Sequence, residues 1–224
     1  MKLKSKLIFV SSTLLLVGVG CVKKDNTVMK PSEPVKLNFS QTVFSLEDRE
    51  TWYQALRWPE ACESDFQQHS GASQGGLAIY PVSKNNYLVR ITCNIFAYQE
   101  TSVFMLAKTN PAQGSVSSTL MTLNTYNPQT KKLEPMMELE RKVPIVVGLE
   151  TFDETAKTLQ IFAKYRGAGD CGAIYSYKIE NQSVTLIRQQ IRECTDEAQG
   201  PQPGKTFGDD YNPPEYWPEV YEKK

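Results

Sequence analysis

The sequence predicts a mainly β protein of antiparallel sheets, either sandwich-like or an irregular barrel, with one short N-terminal helix and two disulfides. Three observations support this fold class. Short runs rich in β-branched and aromatic residues alternate with polar positions, clusters of Asn, Gly, Pro and Asp separate the runs, and four cysteines are widely spaced among them. We expect a single β-rich domain over residues 41–200 and an extended Pro- and aromatic-rich tail over residues 201–224.

The first twenty residues have the order of a secretion signal. Three lysines precede an apolar run over residues 7–19, and small residues connect that run to Cys21. The run is too short for a membrane-spanning helix, which needs about 20 apolar residues. We therefore expect residues 1–20 to be removed as a signal peptide.

The residues before Cys21 resemble the bacterial lipobox, in which the cysteine becomes the first mature residue and receives acyl chains such as palmitate. Gly18 stands where lipoboxes usually have Leu, so ordinary signal cleavage is the alternative. Acyl chains would hold the protein at a membrane of the cell envelope, because each buried methylene contributes about 0.8 kcal/mol. Residues 21–40 are polar and contain two prolines, which predicts a lipidated flexible tether on the periplasmic or outer side.

The charge balance argues against nucleic acid as a partner. The chain has 25 basic and 25 acidic residues, and removal of the leader lysines leaves a slight acidic excess without a basic stripe. A single histidine and the lack of a Cys-x-x-Cys pair argue against zinc. We expect no cofactor and no metal, and the bilayer is the partner that Cys21 indicates.

Four cysteines remain in the mature chain besides Cys21. An even number in an exported protein predicts two disulfides, and four cysteines allow three pairings. We favour Cys62–Cys93 with Cys171–Cys194 because each pair would close one strand-rich segment. Each bridge would stabilise the fold by roughly 3–4 kcal/mol.

One helix is predicted near the start of the domain. Ser45 and Asp48 resemble a capping box, and the apolar residues that follow lie close to helical spacing, so the helix should span residues 46–57. Pro59 should end it.

Alternating apolar positions predict the strands that follow. The first two form a hairpin, and Pro135 makes the fifth strand an edge. The predicted strands are residues 77–79, 87–93, 101–107, 120–126, 133–139, 145–150, 158–165, 174–179 and 184–191. The aromatic tail should pack on the domain or cover a sheet edge rather than form a carbohydrate platform.

Several segments together carry a family resemblance. They are Tyr87-Leu-Val-Arg-Ile-Thr-Cys93-Asn-Ile-Phe-Ala97-Tyr98, Val103-Phe104, Leu149-Glu-Thr-Phe-Asp153, Gly167-Ala-Gly169-Asp170-Cys171-Gly172 and Trp217-Pro218. With them the chain resembles the bacterial domain of unknown function family 1176 over residues 56–221. The Gly-x-Gly-Asp-Cys-Gly loop is the most specific piece. The resemblance implies an exported, cysteine-containing envelope protein without an established activity.

Two positions depart from the family pattern. Gln99 stands where Asn is expected, and Tyr165-Arg166 precedes the Gly-rich loop where a Lys-Gly-Arg-Gly type of approach is expected. Both departures concern polar side chains, so they weaken any transfer of polar contacts from the family.

The loop over residues 166–172 is the candidate binding site. It places the opposite charges of Arg166 and Asp170 beside a predicted disulfide, and we expect Tyr98 nearby. The same glycines also fit a bent connection beside a disulfide, in which case both charged residues are structural.

Catalytic motifs are weak in this sequence. Residues 71–75 fit the Gly-x-Ser-x-Gly pattern of a hydrolase, but a polar segment precedes them, a strand follows, and the only histidine lies upstream. Asp153 and Glu154 are better explained as a turn. We expect no catalytic residues and a non-catalytic binding or envelope-maintenance lipoprotein. The alternative is a hydrolase that attacks an envelope polymer through carboxylates, which a deep cleft holding two or more carboxylates would favour.

Overall fold

The computed structural model describes residues 36–71, 74–138, 140–167, 169, 171–180, 182–194 and 217–223. Two helices and eleven strands lie within these ranges. The helices are α1 (Leu46–Leu56) and α2 (Glu60–His69). The strands are β1 (Leu77–Ser83), β2 (Asn86–Ile95), β3 (Glu100–Asn110), β4 (Ser115–Leu120), β5 (Asn124–Asn127), β6 (Lys132–Pro135), β7 (Val146–Asp153), β8 (Thr158–Lys164), β9 (Gly172–Glu180), β10 (Ser183–Arg192) and β11 (Glu219–Glu222).

One open antiparallel sheet contains most of the strands, in the order β1-β2-β3-β7-β8-β9-β10-β11. β3 is the branch point, because residues 105–110 pair with β4 and residues 100–102 pair with β7. A second sheet consists of β5 and β6. The predicted antiparallel β class is confirmed, and the barrel alternative is wrong because β1 and β11 are not joined in the described chain.

The pleat of β2 and β3 divides the hydrophobic core in two, since successive side chains point to opposite faces. One face packs under the two helices, through Val89, Ile91, Cys93, Val103, Met105 and Ala107. The other face packs on the strands of the second half of the sheet, through Leu88, Phe104 and Leu106. The fold therefore has three layers: helices, the first half of the sheet, and the second half.

The predicted first helix is confirmed, together with its capping box. The backbone N–H of Asp48 donates to Ser45 Oγ at 3.1 Å, and the backbone N–H of Ser45 donates to Asp48 Oδ2 at 2.8 Å. The helix ends at Leu56 because Arg57 takes the left-handed conformation, with φ of 56°. Pro59 is the N-cap of the next helix.

The expectation of one helix is wrong, because α2 follows α1 directly. Its buried residues are Cys62, Glu63 and Phe66, which lie on one face of the helix. Only two of these are apolar, so the hydrophobic pattern does not reveal the helix. Glu63 is buried because it pairs with Arg49, a partner that the sequence pattern does not indicate.

Two predicted strands also differ from the structure. The strand expected over residues 120–126 is interrupted, since β4 ends at Leu120 and β5 begins at Asn124. Between them, the backbone N–H of Met121 donates to Phe104 O at 2.9 Å, so the chain leaves β4 while still bonded to β3. The strand expected over residues 133–139 ends at Pro135, on the small sheet.

Both predicted disulfides are present. Cys171–Cys194 closes the open end of the β9–β10 hairpin, as expected, with a Cα–Cα distance of 5.1 Å. Cys62–Cys93 joins α2 to β2, with a Cα–Cα distance of 4.5 Å. The pairing is therefore right, but the first bridge fastens a helix to the sheet rather than closing a segment of strands.

The described part of the C-terminal tail covers a sheet edge, as predicted. β11 pairs with β10, the last strand of the second half. Trp217 is buried against Phe162 and Ile174, and its carbonyl accepts a hydrogen bond from Gln190 Nε2 at 2.9 Å. The rest of residues 201–224 lies outside the described ranges.

Candidate functional site

Two loops meet at one end of the sheet, the β2–β3 loop over residues 96–99 and the β8–β9 loop over residues 165–171. The backbone N–H of Lys164 donates to Gln99 Oε1 at 3.1 Å. A Cβ atom placed on Gly167 would lie 3.5 Å from the ring of Tyr98. The fold therefore joins the Cys-x-x-x-Ala-Tyr element and the Gly-rich loop, which are about 70 residues apart in the chain.

Each loop is closed by its own backbone hydrogen bonds. In the β2–β3 loop, the N–H of Phe96 donates to Gln99 O at 2.9 Å. In the β8–β9 loop, the N–H of Tyr165 donates to Cys171 O at 3.1 Å, and the N–H of Gly169 donates to Arg166 O at 3.0 Å. These bonds define the position of the side chains that the loops present.

Both disulfides lie close to these loops. Cys93 precedes the end of β2 by two residues, and Cys171 directly precedes β9. Each bridge fixes the strand that leads into or out of a loop. Binding residues are commonly found on loops that a rigid scaffold holds in this way.

Four large side chains at this end are exposed, and we call them the aromatic surface. They are Ile95, Phe96, Tyr98 and Tyr165, which are 45%, 50%, 44% and 47% exposed. Single exposed apolar residues are ordinary, whereas several of them around two adjoining loops can mark an interaction site. The grouping indicates a contact surface.

The tyrosine hydroxyls next to this surface remain protonated at neutral pH. Burial raises the pKa of Tyr165, and the nearby carboxylate of Glu193 raises it further. Burial also raises the pKa of its hydrogen-bond partner Tyr175 to about 12. These groups are therefore hydrogen-bond donors and not bases.

Of the residues predicted for the site, Tyr98 lies against the Gly-rich loop, at Gly167. Arg166 lies in the same loop, is half-buried and is engaged in an interaction. Asp170 lies outside the described residues. The sequence analysis does not single out Phe96 or Tyr165 as site residues. In the structure they directly follow β2 and β8.

Asp153, one of the carboxylates singled out in the sequence, behaves as a turn residue. Asp153 Oδ1 accepts hydrogen bonds from the backbone N–H groups of Thr155 and Ala156, both at 2.8 Å. This confirms the predicted turn. Ala72 and Ser73 of the Gly-x-Ser-x-Gly pattern lie outside the described residues, and β1 begins shortly after it.

A partly buried cluster of charged residues lies between the two halves of the sheet. Arg90 Nε is 2.8 Å from Glu150 Oε1, although its N–H does not point along this contact. Arg90 also pairs with Glu100, whose Oε2 accepts from Thr92 Oγ1 at 3.1 Å. Tyr80 donates to Glu150 at 3.1 Å. Glu100 and Glu150 thus both bind Arg90, and this geometry is that of structural ion pairs.

Glu150 should make stability depend on pH. Burial raises its pKa above the ordinary value of 4.5, with Arg90 opposing the shift. A carboxyl group whose pKa is raised in the folded protein makes its full contribution to the free energy of unfolding below pH 4.5. That contribution is lost as pH rises through the folded pKa. We expect Glu150→Gln to gain stability relative to wild type as pH rises from 4.5 toward 7, measured by urea unfolding. Parallel pH profiles for the two proteins would contradict this.

A second ion pair, which is buried, lies beside a cleft between α1 and α2. Arg49 Nε donates to Glu63 Oε2 at 2.9 Å, and the guanidinium carbon is 3.7 Å from the ring centre of Phe66. The cleft has a volume of about 300 Å³ and is also lined by Glu50 and Gln67. Glu63 is held by Arg49, by Gln67 and by Trp58, whose Nε1 donates to Glu63 Oε2 at 3.0 Å. One of the two carboxylates in the cleft is therefore already neutralised.

Within the described ranges, no group of three or more His, Cys, Asp or Glu side chains is arranged to hold a metal ion. The same ranges contain no helix that is long and apolar enough to cross a membrane.

Comparison with known proteins gives one match. The sequence model of a family described as "Protein of unknown function (DUF1176)" matches residues 21–204, which is more than half of the chain. No curated protein and no solved structure matches. The matched region includes the two loops that form the aromatic surface.

Proposed function

This chain belongs to the DUF1176 family, and we propose that it is an exported lipoprotein whose aromatic surface binds a partner in the cell envelope without catalysing a reaction. The observation that supports this most is the meeting of two separate family segments, at Tyr98 and Gly167, in one exposed surface. Residues that only stabilise a core would be buried.

The charged groups support binding rather than catalysis. A carboxylate that acts as a base or nucleophile must reach the substrate. Glu63 is committed to Arg49, and Glu100 and Glu150 are committed to Arg90. The fold itself therefore explains the ion pairs of these three carboxylates.

Anchoring through Cys21 is the second part of the proposal. The cysteine follows an apolar leader and a small residue, as in lipoproteins. We expect the intact mass of the protein extracted from membranes to equal the chain from Cys21 plus its acyl chains. An unmodified chain that begins elsewhere, or a Cys21→Ser protein that still partitions into membranes, would contradict the anchor.

Site-specific photo-crosslinking in living cells tests the binding surface. A photoreactive residue at Phe96 should give adducts of higher mass, because this position is half exposed within the surface. The matched control is Leu133, which is 47% exposed but lies on the small β5–β6 sheet. Equal adducts at both positions, or none at Phe96, would refute the proposed surface.

A further inference from the structure

The chain enters the domain at the end opposite the aromatic surface. Phe39, near the first described residue, packs on Tyr87 and Trp52, with ring centres 4.3 Å and 4.8 Å apart. Tyr87 is at the start of β2, and the aromatic surface begins at Ile95, where β2 ends. A strand of this length spans about 30 Å. The point where the tether joins the domain is therefore remote from the surface.

The number of tether residues limits how far the domain can lie from Cys21. Residues 36–40 of the predicted tether belong to the described domain, where Leu37 and Phe39 pack on the core. Residues 22–35 therefore separate Cys21 from the domain, and an extended chain reaches at most about 3.5 Å per residue. With lipid on Cys21, the surface would have access to material up to roughly 80 Å from the bilayer. This geometry suits a ligand that lies beyond the membrane that holds the anchor.

The size of the surface argues against a stable protein complex. A fully exposed aromatic side chain presents about 150–250 Å², so the four half-exposed side chains together offer roughly 350 Å². A stable protein interface needs about 800 Å² on each partner. The area instead lies in the range of the largest apolar patch on a typical monomer, about 300–600 Å², which is often functional. A patch of this size suits a ligand that is narrow and repetitive.

From these observations we propose that the aromatic surface binds glycan strands of the cell wall. The C–H face of a sugar ring packs on the face of an aromatic ring, whose π cloud is negative. Phe96, Tyr98 and Tyr165 supply three such rings, and Tyr98 is already positioned by its contact with Gly167. A strand of repeated sugars would contact several rings at once, so that weak contacts add up. This inference rests on the proposed binding function and specifies its ligand.

The test is co-sedimentation of the detergent-extracted, full-length protein with purified peptidoglycan sacculi. We expect wild type to sediment with the sacculi. The variant Phe96→Ala/Tyr98→Ala/Tyr165→Ala should bind them at least about ten-fold more weakly. The ring-conserving variant Phe96→Tyr/Tyr98→Phe/Tyr165→Phe should still bind, and Leu133→Ala is the control for an exposed side chain elsewhere. Because Tyr165 also contacts Tyr175, the double variant Phe96→Ala/Tyr98→Ala provides a second measurement if the triple variant unfolds.

Several results would overturn the glycan assignment. In the sedimentation assay, these are a wild-type protein that stays in the supernatant, or alanine variants that sediment like wild type. Two further results point to a different ligand: Cys21→Ser binds vesicles of anionic lipid in preference to sacculi, or the protein self-associates and the triple variant abolishes this association. If wild type fails to sediment while Phe96 still gives adducts in cells, the glycan assignment is wrong and the binding function stands. If both fail, the binding function is wrong as well.

Discussion

Replacement of Arg49 by Met should lower the free energy of unfolding by about 3–5 kcal/mol, the effect typical of removing one partner from a buried ion pair. The Arg49 side chain is 2% exposed. It donates to Glu63, to Gly75 O at 2.9 Å and to Thr92 O at 3.1 Å. Its loss would leave the Glu63 carboxylate buried without a cation and would disconnect α1 from α2 and β2.

Arg141 provides the matched control, because it also binds two carboxylates but at the surface. Its side chain is 38% exposed and pairs with Asp65 and Glu138, each at 2.7 Å. Exposed pairs contribute about 0–1 kcal/mol each, so Arg141→Ala should change stability little. Thermal unfolding should show a loss of about 10 °C or more for Arg49→Met and a few degrees for Arg141→Ala. Equal losses would show that burial does not determine the contribution of these arginines.

Removal of the Cys62–Cys93 bridge should have the second large effect, about 4–5 kcal/mol. Chain entropy alone gives similar values for the two bridges, roughly 3–4 kcal/mol, because their sequence separations are 31 and 23. The bridges differ in packing, however. Cys62 and Cys93 are both 0% exposed and belong to the core beneath the helices, whereas Cys194 is exposed.

Urea unfolding of Cys62→Ala/Cys93→Ala and Cys171→Ala/Cys194→Ala measures the difference directly. The first variant should be the less stable of the two, because it loses core contacts as well as the chain constraint. Exchange of backbone amides in α2 should also become faster in that variant alone. A larger loss from the second variant would contradict this account of the helix attachment.

The sequence predicts those parts of the fold that local chemistry determines. The capping box at Ser45 and Asp48 predicts the start of α1, the turn at Asp153 predicts the break between β7 and β8, and alternation predicts the β1–β2 hairpin. In each case the controlling contacts lie within a few residues. Such contacts can be recognised without knowing the tertiary structure.

The features that the sequence does not predict depend on distant partners. Glu63 is polar but lies on the buried face of α2, and it can be buried there only because Arg49 binds it. Hydrophobic spacing alone therefore does not identify the helix. The break between β4 and β5 depends on the bond from Met121 to Phe104. At the candidate site, the sequence predicts that Tyr98 lies near the Gly-rich loop, but it does not predict the role of Gln99. Its hydrogen bond to Lys164 is what joins the loops.

If the two loops act as one binding surface, a crosslink formed from one loop should depend on the side chains of the other. The photoreactive residue is placed at Tyr165, in the β8–β9 loop, and Phe96→Ala/Tyr98→Ala is introduced in the β2–β3 loop. We expect the adducts at position 165 to disappear while the melting temperature stays within a few degrees of wild type, since the changed side chains are about half exposed. Adducts that persist at their original level in this folded variant would contradict a shared surface.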